Sequence, residues 1–161
     1  VKGLMGETIE DEPVKEVPAE EKENAPIKEP VKEPVGDGYI LDKDAAHYYT
    51  LVGTQIPNVA ELKGRISNFN SVMFSIETLS IKNLQLTPTE DIIFVQGFKE
   101  TKKAMDYYNT ILADTTVFAG VDIASTNQFI ISQENFGKFY EKKEIPPYVQ
   151  FFITNYILKK D

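Results

Sequence analysis

His47 is the sole histidine of the chain, and histidine does metal or nucleophilic chemistry only in company. No second histidine and no cysteine is present to complete a metal site or a thiol–imidazole pair around it. A surface or strand-edge position is therefore expected for it. Glu90-Asp91 is the one adjacent acid pair after residue 44. Paired carboxylates do acid–base work when buried and convergent; between two extended segments this pair reads as a solvated turn. Gly53, Gly64, Gly97, Gly120 and Gly137 stand singly, so no glycine-rich loop is available to cradle a phosphate. Neither a G-x-S-x-G elbow nor an H-E-x-x-H helix occurs. The expectation is a chain that is not an enzyme and takes no cofactor and no metal.

The formal charge of −8 excludes the phosphate-neutralising surface that nucleic-acid binding depends on. It is unevenly distributed: residues 1–44 carry 13 acids against 6 lysines, and residues 45–161 carry 12 acids against 11 bases. The first part is thus −7 and the second −1. Five of the nine prolines fall between Glu7 and Pro34, among glutamates, lysines and valines. Each proline removes a backbone donor and biases its predecessor toward extended chain, and such a composition cannot bury a core. Residues 1–44 are read as a disordered acidic linker and residues 45–161 as one compact domain, with Gly36-Asp37-Gly38 as the hinge. No apolar run reaches the ~20 residues of a membrane helix. A chain that starts at Val1 is expected to be a piece of a longer protein, with any targeting signal upstream.

The elements follow from periodicity. His47 to Gly53 is aromatic and β-branched and ends at glycine, as a strand does. Asn58 with Glu61 three residues on forms a capping box, and Val59, Leu62, Ile66 and Phe69 recur at helical spacing up to Asn70. Leu79 to Leu86 alternates at period two, breaks at Thr87-Pro88-Thr89-Glu90, and gives way to Ile92 to Val95: two strands in a hairpin. Lys99 to Ala113 puts Ala104, Tyr108, Ile111 and Leu112 on one helical face. Gln128 to Ile131 is a fourth strand, and Ser132 caps a helix over Gln133 to Lys142. Pro146-Pro147 opens a last helix bearing Val149, Phe152, Ile153 and Tyr156.

The order β-α-β-β-α-β followed by two helices predicts an α+β fold of the ferredoxin-like kind: an antiparallel four-stranded sheet, two crossover helices, and extra C-terminal helices to cover the second face. Tyr48 and Tyr49 project to opposite faces of the first strand. One of the two must face away from the crossover helices, which makes them the candidate partner-binding residues.

His47-Tyr48-Tyr49, Glu61-Leu62-Lys63 with Ile66-Ser67-Asn68-Phe69-Asn70, Ala104 to Asn109, Phe129 to Phe136, Phe139-Tyr140 and Tyr148 to Tyr156 together resemble the C-terminal domain of Bacteroidetes tetratricopeptide-repeat lipoproteins. The resemblance covers Ala45 to Tyr156. It implies an accessory scaffolding or protein-interaction module of the type IX secretion and gliding-motility machinery, periplasmic and outer-membrane associated through segments upstream. The implied partners are other cell-envelope proteins of that machinery, and no residue role transfers with it. The same element order also resembles sporulation-related repeat domains, which implies peptidoglycan as an alternative partner if the second sheet face is open.

Overall fold

The structure, a computed structural model, describes residues 38–159; the expected acidic linker lies mostly outside the described residues. Strand β1 spans His47–Thr54, helix α1 Val59–Met73, strands β2 and β3 Ser80–Thr87 and Glu90–Phe98, and helix α2 Thr101–Leu112. A 3-10 turn at Ile123–Ser125 leads into β4, Thr126–Ser132; helices α3, Gln133–Lys142, and α4, Ile145–Phe152, follow, and a π-helical turn, Ile153–Ile157, continues α4. The fold is α+β. Its four strands form one sheet in the order β2-β3-β1-β4, with every neighbouring pair antiparallel.

Local chemistry explains the boundaries. The Asn58 side chain accepts from the Glu61 backbone N–H and starts α1; the Ser132 hydroxyl accepts from the Asn135 N–H and starts α3. Both satisfy donors that a helix start leaves unpaired. Proline in the first turn of α4 costs nothing, because no intrahelical partner exists for that N–H. The hairpin turn is only Pro88-Thr89, so Glu90 and Asp91 are the first residues of β3, opposite Thr54 and Gly53. That corrects their reading as a turn.

Alternation along β1 divides the molecule. Tyr49 and Leu51 face α1 and α2, with the Tyr49 ring 5.2 Å from Tyr107 of α2. Tyr48 faces the other way, 5.4 Å from Phe94 and 5.2 Å from Phe136 of α3. Both sides of the sheet are therefore dressed with rings, and burying each such ring stabilises the fold by about 2 kcal/mol. Helix α4 closes the β4 edge. Its Tyr148 ring packs at 4.9 Å on Phe129, and its Tyr148 hydroxyl donates to the Ile130 carbonyl at 2.7 Å. Its Phe152 ring reaches Tyr108 of α2 at 5.2 Å.

The folded body begins before residue 45. Tyr39 is fully buried, edge-on to Tyr148 at 4.9 Å. The buried Asn135 side chain pairs with the Ile40 backbone as a neighbouring strand would, accepting from its N–H at 3.0 Å and donating to its carbonyl at 2.7 Å. The acids at 42 and 44 made this segment look like linker; its apolar triplet Tyr39-Ile40-Leu41 decides the matter.

Candidate functional site

His47 begins β1 and is fully buried, against the expectation of a surface or edge position. The π-helical turn after α4 brings Tyr156 over it, a long-range placement that local sequence cannot display. The Ala45 carbonyl, 2.8 Å from Nδ1, can only accept, so Nδ1 carries the proton. The Nε2 lone pair then accepts from the Tyr156 hydroxyl at 2.9 Å. Burial pushes the imidazole pKa down, with the Ala45 carbonyl and Asp42 opposing it. The imidazole is spent on joining the start of β1 to the C-terminal turn.

The two tyrosine candidates separate. Tyr49 is fully buried and its hydroxyl donates to Gln128. Its hydroxyl pKa is raised well above normal by burial and by the neighbouring Tyr107 and Tyr108 hydroxyls. Tyr107 is likewise pushed up by burial, with its hydroxyl donating to Asn70 at 2.6 Å. Such phenols stay protonated at neutral pH and serve as donors. Tyr49 therefore presents no surface to a partner. Tyr48 is half-buried beneath Phe136 and forms one wall of an open groove of about 540 Å³ at the end of the sheet, with Ile76, Gln96, Gly97 and Gln133 around it.

Sequence reading missed the exposed apolar residues at the end of α1, of which Ile76 lines that groove and Val72 and Met73 line a separate one with Arg65, Phe69 and Val117. Val72 and Met73, at the end of α1, are 69% and 53% exposed, and Ile76 in the following turn is 90% exposed. Their positions continue the helical pattern past Asn70, so spacing alone gives them no distinguishing mark; only the end of the helix, capped at Phe74, turns them out to solvent. Large apolar side chains exposed in a cluster mark interaction surfaces more often than isolated ones do.

Among the described residues, no group of three or more histidine, aspartate or glutamate side chains converges, and no helix is long and apolar enough to cross a membrane. Compared with protein-family models, with curated proteins and with solved structures, the chain matches none.

Proposed function

We propose that the folded body is a non-catalytic protein-interaction module of a cell-envelope scaffold, and that its chain trace is the ferredoxin-like split β-α-β plan. The trace is supported by the order β2-β3-β1-β4 with antiparallel neighbours, and by α1 and α2 sharing one face. The observation that carries the functional reading is the exposed apolar set at the end of α1: Ile76 on the groove walled by Tyr48, and Val72 and Met73 on a second groove lined by Arg65 and Val117. A non-catalytic role is supported by the way the buried ionisable groups are spent: His47, Tyr49 and Tyr107 each end on a structural partner. The resemblance described above assigns the module to the type IX secretion and gliding-motility machinery, on the periplasmic side of the outer membrane.

The full chain, immobilised and washed with a Bacteroidetes envelope extract, should retain proteins of that machinery. The Met73→Asp, Ile76→Asp double variant should lose them while keeping its circular dichroism. Equal retention by both chains, or retention of nothing specific, sinks the reading. Peptidoglycan is the weaker alternative, because α3 stands over Tyr48 and Phe94 on the face where a glycan strand would have to lie.

A further inference from the structure

The two edges of the sheet are treated differently. Strand β4 is covered by α4, with a tyrosine hydroxyl on one of its backbone carbonyls. Among the described residues, strand β2, the opposite edge, pairs with β3 alone, and a single carbonyl near its turn end, that of Gln85, accepts from the Tyr140 hydroxyl at 3.2 Å. It runs eight residues without proline, carries one charge, Lys82, and leaves Ser80, Lys82, Asn83, Leu84 and Gln85 exposed. A long edge with so little to blunt it is a template for an added strand.

The space beside it is shaped for one. Between β2 and α1 lies an open groove of about 470 Å³. Its helical wall is a stripe at the spacing of successive turns, Lys63, Ser67, Ser71 and Phe74, and Leu79 and Ile81 border it on the strand side. Small side chains hold this wall back; a Cβ added at Gly64, which also lines the groove, would meet nothing within 4 Å. An edge strand facing a helix across such a gap is the geometry of strand addition, in which main-chain hydrogen bonds give affinity and alternate side chains give specificity.

Charge selects the occupant. Lys63 ends on the neutral Asn83 side-chain oxygen at 2.7 Å, and Lys82 on the exposed strand makes no ion pair among the described residues. The groove's own carboxylate, Glu77, is neutralised by Lys103 at 3.0 Å. The uncompensated charge along the α1 wall and the first half of β2 is therefore cationic, while the carboxylates of Glu90 and Asp91 lie at the turn end, opposite Thr87 and Gln85. Two copies paired through β2 would bring four lysines together, which disfavours a second copy of the chain.

We propose that the β2 edge and the α1 groove receive an extended acidic segment of another protein, added to the sheet as a fifth strand. This goes beyond the interaction reading above by adding a second surface, distinct from the groove at Tyr48, and one class of partner, and it rests on that reading.

The test uses the full chain, labelled with nitrogen-15, and a synthetic, end-blocked octapeptide of alternating glutamate and valine. Its lysine counterpart is the charge control. A third peptide carries N-methyl groups on alternate amides, which removes donors without altering the protein. The acidic peptide should shift β2 and α1-flank resonances, slow hydrogen exchange at β2 amides, and bind about tenfold more tightly than the lysine peptide. N-methylation should abolish binding, and a Lys63→Glu, Lys82→Glu variant should reverse the preference.

Equal binding of both peptides, or shifts confined to other surfaces, overturns the proposal. Protection, in the chain alone, of the β2 amides that do not pair with β3 also overturns it: if concentration-dependent, a second copy holds the edge, and if present at every dilution, the chain's own acidic segment does. A positive pull-down with a negative peptide titration would retain the interaction module and remove this site alone. The reverse result would retain the site and remove the envelope assignment.

Discussion

At the scale of single residues, the buried histidine has a consequence in solution. His47 is held neutral, its pKa depressed by burial below the ordinary value of 6.5. In the unfolded chain it titrates near that ordinary value. Between the two, the unfolded state binds a proton that the folded state refuses, so stability is complete above about pH 6.5 and falls as pH drops toward the folded pKa. Urea melts at pH 7.5 and pH 5.5 should show this loss, and His47→Gln, whose amide can still accept from Tyr156, should lack that part of it. Parallel pH slopes for the two chains would show that His47 titrates as it does when unfolded. The sequence showed where His47 begins its strand and that it has no metal-binding company. It could not show the burial, because the tyrosine that covers it lies 109 positions away. Tyr48 and Tyr49 were legible as a pair with opposite faces; which of them reached solvent depended on α3, packed from the far end of the chain.

At the scale of elements, starts were legible and faces less so. Asn58 and Ser132 cap α1 and α3 as their residue types require. For α2, helical spacing suggested Tyr108 and Leu112 as inward residues. Tyr108 does pack against the core, its ring 5.2 Å from Phe152, but the fully buried tyrosine is Tyr107, and Leu112 is 43% exposed. Neighbouring tyrosines differ by only about 100° around a helix, and what chose between them is the Asn70 side chain on α1, which accepts the Tyr107 hydroxyl. The end of β3 is equally specific. Gly97 has φ of 127°, and a Cβ there would lie 2.4 Å from the Thr78 carbonyl oxygen. That oxygen belongs to the backbone leading into β2 and cannot swing aside as a side chain can. Gly97→Ala should therefore cost about 2 kcal/mol or more, read as a lowered urea midpoint. Because Gly97 also walls the groove beside Tyr48, the same variant should weaken retention of envelope partners. A midpoint unchanged from the parent would mean that the segment from Thr78 to Leu79 gives way freely.

At the scale of the whole molecule, sheet order and its consequences come from pairings that no local window contains. The period-two alternation from Leu79 to Leu86 identified a strand; that it would be an exposed edge, and β4 a covered one, follows only once β1 pairs with both β3 and β4. The same holds for residues 38–44, whose place is set by a side chain 95 positions further on. Asn135, fully buried in the first turn of α3, supplies both a donor and an acceptor to Ile40, and Tyr39 beneath them packs against Tyr148 and Phe151. Removing that amide leaves the Ile40 N–H and carbonyl without these partners and opens a space beside Tyr39. Asn135→Ala should lower stability by about 2–4 kcal/mol. It should also speed hydrogen exchange at Ile40 well before exchange at the central strand β1, because the segment can detach while the sheet stays paired. Equal acceleration at both places would mean that residues 38–44 and the sheet unfold as one unit. No change at either would mean that Asn135 does not hold the segment, and the body would then begin where the acids end.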